Sequence, residues 1–138
     1  MRIIRHILLI FIVMLLFSAC TKDGDVIYMT DPADVSATRP LITVIYDADG
    51  VGDLSYNDLI YQGVEEAAQE YSLRTLQLSP NNFDEGVAYI EAAIKQMAAS
   101  TDTVRRLLIV ANSAYDEYIR KNCSRLEANP RASLLYLA

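Results

Sequence analysis

The chain has 138 residues, with 12 Lys and Arg against 18 Asp and Glu for a formal net charge of −6, and 52 % of its residues are apolar. That is the composition of a globular chain rather than a disordered one, and its length suits one modest domain. The acidic balance excludes nucleic acid as a partner, since phosphate contacts need Lys and Arg.

Arg2 and Arg5 open the sequence, and an apolar run of eleven residues follows from Ile7 to Phe17. A basic start, a short apolar core and small residues at its end form the layout of a secretory signal. The run is too short for a bilayer span, which takes roughly 17–25 residues. Phe17-Ser18-Ala19-Cys20 resembles the lipobox of bacterial lipoproteins, with Phe17 where Leu is usual. The resemblance implies cleavage of residues 1–19, lipidation of Cys20 and attachment to a membrane through acyl chains. Lys22-Asp23 resembles a surface-export signal of some Gram-negative lipoproteins, which implies the cell envelope and its outer membrane. Cleavage would also remove Arg2, Arg5 and His6, the only histidine, leaving 10 − 18 = −8. With Cys20 acylated, Cys123 would lack an intrachain partner for a disulfide.

Residues 20–39 hold Gly24, Pro32 and scattered acids without sustained periodicity, and read as a tether. Residues 40–138 read as the folded part. Leu41 to Tyr46 is an apolar run suited to a strand buried on both faces. Ser55 starts a helix with Asp58 as capping-box partner and Ile60, Val64, Ala67 and Tyr71 on one face. Leu73 to Leu78 is a second, more polar strand, placed nearer a sheet edge. A second helix follows Pro80-Asn81-Asn82, with Phe83, Val87, Ile90, Ile94 and Met97 on its stripe. Leu107 to Ala111 is a third strand. Ser113 with Asp116 caps a third helix holding Tyr115, Ile119, Cys123 and Leu126, and Ala132 to Leu137 begins a fourth strand.

This alternation predicts an α/β fold: a parallel sheet flanked by helices on both faces. The last strand is apolar, with no helix after it, so the sequence reads as the front part of a longer protein. Ligands of such sheets bind outside the carboxyl ends of the strands. The informative loops are therefore 47–55, 78–82 and 111–115.

Enzyme chemistry finds little footing in these loops. Loss of His6 removes any Ser-His-Asp or Cys-His arrangement, and Cys123 falls on an apolar helix face as a small hydrophobe. Asp47 to Asp53 lacks the ligand spacing and final Glu of an EF-hand. Gly50-Val51-Gly52 approximates a dinucleotide turn, but the second strand ends in Leu78-Ser79 rather than an acid. A phospho-receiver needs Asp where the third strand runs into Ala111-Asn112. We therefore expect no catalytic residue, no metal and no cofactor. What is left is recognition: Gly50 and Gly52 permit close backbone approach, Tyr56 offers a ring for stacking, and Asn57 offers donors and an acceptor. Asp47 and Asp53 could accept from hydroxyls, with Ser55 at the helix start and Asn112 on the third loop. Each also has a plainer role: Ser55 as a cap, Asn57 as a first-turn residue, Asp47 as a turn former.

Val44-Ile45-Tyr46-Asp47, Gly52-Asp53-Leu54-Ser55-Tyr56-Asn57-Asp58 and Gly63 resemble the amino-terminal region of the basic membrane protein family. These are purine-nucleoside-receptor type, substrate-binding lipoproteins of ABC importers. Asp47, Gly52, Asp53, Ser55, Asn57 and Gly63 match the family pattern, with Tyr56 in place of Phe and Asn112-Ser113 in place of Gly-Phe. The resemblance implies residues 40–138 are an incomplete first lobe of a two-lobed, type I periplasmic-binding fold. It implies that Tyr56 stacks on a nucleobase, Asn57 hydrogen-bonds it, and Asp47 approaches the ribose. The expected function is a lipid-anchored solute-binding protein that closes on a small polar, nucleoside-like ligand and serves an ABC permease. The alternative is a surface lipoprotein that uses the same fold for protein or glycan contacts.

Overall fold

The computed structural model describes residues 25–29, 36–52 and 54–137; the leader and Cys20 lie outside them. In chain order the elements are β1 (Asp25–Met29), β2 (Leu41–Ile45), α1 (Tyr56–Tyr71), β3 (Arg74–Ser79), α2 (Phe83–Ala99), β4 (Arg106–Val110), α3 (Asp116–Asn122) and β5 (Ala132–Tyr136). Turns of 3-10 helix at Ser113–Tyr115 and Cys123–Leu126 flank α3. The sheet order is β1-β3-β2-β4-β5. Strands β2 to β5 are mutually parallel, as the alternating pattern predicts.

The outermost strand departs from that reading. Residues 25–29 fall within the stretch read as a tether, yet they pair antiparallel with β3, Asp25 opposite Ser79 and Met29 opposite Leu76. The register breaks between Val26 and Tyr28, the kind of irregularity common on sheet edges. Strand β3 would otherwise present a row of unpaired amides and carbonyls, and β1 satisfies them.

The crossover from β2 to β3 runs one way along the sheet, and those from β3 to β4 and β4 to β5 run the other way. Right-handed connections therefore place α1 on one face and α2 and α3 on the opposite face. On the α1 face Val64 packs with Ile42, Val44, Tyr46, Ile109 and Ala111. On the opposite face Ile90, Ile94 and Met97 of α2 and Ile119 of α3 pack with Ile45 and Leu108, among others. Strand β2 is buried on both faces, as its nearly continuous apolar run, interrupted only by Thr43, requires.

Two helix readings change. Tyr71 is exposed rather than buried, because α1 ends there and Ser72 turns left-handed at φ 51°; Leu73 packs against the α1-side core instead. The third helix is one seven-residue segment between two 3-10 turns; Tyr115, not Ser113, stands at its N-cap without a side-chain cap bond, and Asn112 caps the leading 3-10 turn, its Oδ1 accepting from Ala114 N–H at 2.7 Å. Cys123 is half-buried against the α2–α3 core.

The polar character of β3 also has a different origin from an exposed edge. Gln77 is fully buried and sits in a chain of side chains beneath α1: Tyr46 O–H donates to Gln77 Oε1, and Gln77 Nε2 donates to Glu65 Oε1 at 2.6 Å. Burial raises the Tyr46 phenol far above its ordinary range, and the charge of Glu65 adds to this. Gln77→Leu would leave the Tyr46 hydroxyl buried without its acceptor. We expect a loss of about 1–3 kcal/mol of stability, read as a lower urea midpoint at unchanged slope; an unchanged midpoint would show the network contributes nothing.

Candidate functional site

The carboxyl ends of β3, β2, β4 and β5 form one edge. Tyr46 N–H donates to Leu78 O at 3.0 Å, Ala111 N–H to Ile45 O at 3.0 Å, and Leu137 N–H to Val110 O at 2.9 Å, tying the strand ends together. Ile45 pairs with Val110, so Asp47 and Asn112, each two residues further on, leave adjacent strands at the same level. They sit where the connections diverge to left and right, which is the crevice position in such sheets.

The loop after β2 is built on its own side chains. Asp47 Oδ1 accepts from Asp49 N–H at 2.6 Å, and Gly50 N–H donates to Asp47 O at 3.2 Å. Gly50 has φ +75°, and a Cβ there would come within 2.9 Å of Ser79 Oγ. Glycine therefore meets two demands, a left-handed backbone and a close approach. Leu54 holds φ 58° and is 95 % exposed, unusual on both counts for a bulky residue. The Asp58 carboxylate accepts from Gly52 N–H at 2.6 Å and Leu54 N–H at 2.5 Å. It thus braces the loop ahead of α1.

Asn57 is the center of this arrangement. Its side chain is only 3 % exposed, at the first turn of α1. Nδ2 donates to Gly50 O at 2.7 Å, which fixes the amide orientation. Oδ1 is buried and has no hydrogen-bond partner among the described residues. A buried amide oxygen without a donor costs stability. Beside it Tyr56 is half exposed, a ring available for stacking.

The other expected site residues divide. Ser55 occupies the N-cap position of α1, without a side-chain cap bond. Asn112 lies on the adjacent loop, its Oδ1 committed to the 3-10 turn. Asp53 lies outside the described residues.

Two aromatic residues read from sequence as core stripe prove to belong to this edge. Tyr115 is 1 % exposed, and its ring stacks on Phe83 with centroids 5.2 Å apart and planes 15° apart. Burial raises the Tyr115 phenol, and the charge of Asp47 raises it further. Tyr115 therefore lies within electrostatic reach of the site. Its position at the end of the 111–115 loop was the available signal, and periodicity alone hid it. Among the described residues no group of three or more His, Cys, Asp and Glu could hold a metal ion.

The fold and this edge define a helix-flanked α/β unit whose carboxyl edge carries a cluster of polar side chains. No family model matches the chain, and no solved structure does. The chain is 32 % identical over 54 residues to an uncharacterized lipoprotein of Pyrococcus horikoshii, a stretch covering 39 % of this chain and 13 % of the archaeal protein. No described helix is long and apolar enough to cross a membrane.

Proposed function

We propose that this chain is the ligand-binding front part of a lipid-anchored solute-binding protein that closes two lobes on a nucleoside-like ligand and makes or breaks no bond. The observation that carries this is Asn57 Oδ1, a buried acceptor without a donor at the carboxyl edge. A base presenting an N–H would supply that donor while stacking on Tyr56. Asp47 stands at the level of Asn112 to take hydroxyls. The Phe17-Ser18-Ala19-Cys20 segment supports the anchor, and so does similarity to a protein named as a lipoprotein.

Topology adds a geometric argument. Asp25 is paired with Ser79 at the carboxyl edge, five residues after Cys20. Five residues reach at most about 18 Å. An acylated Cys20 would hold the site edge toward its membrane, where an ABC permease could receive the ligand.

The test is calorimetry on full-length, unlipidated protein with adenosine, guanosine, inosine and cytidine. Saturable binding of at least one nucleoside is expected, with compaction in small-angle scattering on binding. No heat from any of the four would overturn the nucleoside reading.

A further inference from the structure

The edge opposite the candidate site has a contrasting character. The chain carries a net charge of −6, yet Arg39, Arg74, Arg105, Arg106 and Arg131 all gather at the amino ends of the strands. Leu41 pairs with both Arg74 and Arg106, and Arg106 pairs with Ala132. Arg105 and Arg131 thus precede paired positions on neighbouring strands, and Arg106 N–H donates to Arg131 O at 2.8 Å. Like charges at directly opposed strand positions repel. Among the described residues Arg106 alone of the five is in an ion pair, with Asp102 at 2.8 and 2.7 Å, and that fork pulls the Asp102 carboxyl down to about 2. Arg106 Nε is buried with no acceptor among the described residues.

A groove of about 520 Å³ opens among these amino ends. Arg105, Arg106 and Arg131 line it, and Leu41, Leu73 and Leu107 supply apolar walls. That volume lies within the range of small-molecule sites, roughly 300–1,000 Å³. Guanidinium forks match phosphate oxygens two at a time, and an anion between Arg105 and Arg131 would turn their repulsion into attraction. We infer that this groove is a second binding site, for a soluble amphiphilic phosphate whose head sits between Arg105 and Arg131 and whose apolar part lies against Leu107. A soluble ligand is favored over the anchoring bilayer because the chain enters the sheet at the other edge, at Asp25 beside Ser79. That last step rests on the anchor reading above; the groove and its charges do not.

Hexyl phosphate, with hexanol and inorganic phosphate as comparisons, tests the assignment on the full-length unlipidated protein. Hexyl phosphate should bind saturably by calorimetry and shift the guanidinium N–H resonances of Arg105 and Arg131. Hexanol should give no heat, and inorganic phosphate should bind more weakly than hexyl phosphate. Arg105→Ala with Arg131→Ala should weaken binding at least tenfold at an unchanged melting temperature, with nucleoside affinity also unchanged. Undiminished hexyl phosphate binding by that double variant would overturn the inference. So would binding that appears only on vesicles containing phosphatidylglycerol. A third overturning result is binding that appears only after Asp31→Asn and Asp34→Asn, because the acidic segment of the chain would then be the native occupant.

Discussion

Asn57→Ala should weaken nucleoside binding by the full-length protein by about 1–3 kcal/mol, the scale of a buried polar group losing its partner. The side chain has two separable duties. Nδ2 holds Gly50 O at 2.7 Å and shapes the loop, while Oδ1 has no partner among the described residues. Truncation ends both, so the loop effect needs its own control. Gly50→Ala provides it, because it forces a Cβ onto φ +75° and to within 2.9 Å of Ser79 Oγ while leaving Asn57 in place. Gly50→Ala should cost more in melting temperature than in affinity, and Asn57→Ala the reverse. Calorimetry showing unchanged affinity for Asn57→Ala would remove the residue from the site.

The value of Asn57 was only partly legible in the sequence. Its type and its place at a helix start mark it as a possible ligand residue, but they fit a first-turn surface residue equally well. Burial separates the two, and burial arises from a contact seven residues back, to a carbonyl that Gly50 alone can present. A comparable ambiguity hid Tyr115 and Phe83. Both fit the 3.6-residue stripe of a core face, and Tyr115 is indeed in the core, yet each lies at the loop end of its helix. Periodicity reports which way a residue points around a helix axis and says nothing of its height along the sheet.

The sheet shows the same division. Strands β2 to β5 follow from apolar runs and short connections, because packing and pattern agree there. Strand β1 does not, since Val26 to Met29 is a short apolar run among acids and a nearby proline, and its strand state comes from pairing with β3. Polar β3 residues suggest a place nearer a sheet edge, and β3 does lie next to the outermost strand, yet Gln77 is fully buried, its amide satisfied by Tyr46 and Glu65. A buried polar network looks like a surface in sequence, because its partners are distant in the chain.

Gly86→Ala should destabilize the fold by about 2 kcal/mol, within the usual cost of overpacking a filled core. Helix propensity alone favors the change, since Ala exceeds Gly by roughly 1 kcal/mol in a helix interior. Sterics outweigh it. A Cβ on Gly86 would sit 1.9 Å from Tyr115 Oη, 2.6 Å from Cζ and 3.0 Å from Cε1, all atoms of a side chain whose residue is 1 % exposed and whose ring stacks on Phe83. The ring has to move, and it moves at the edge where Asp47 acts on it. Gly86→Ala should therefore lower nucleoside affinity as well as the urea midpoint, although it is remote from Asn57 in sequence. Tyr115→Phe removes the nearest of the three atoms but leaves the ring carbon at 2.6 Å, so the double variant should regain part of the lost stability. Strict additivity in that cycle would show that Gly86 and Tyr115 do not press on each other, and the link from α2 to the site would fail with it.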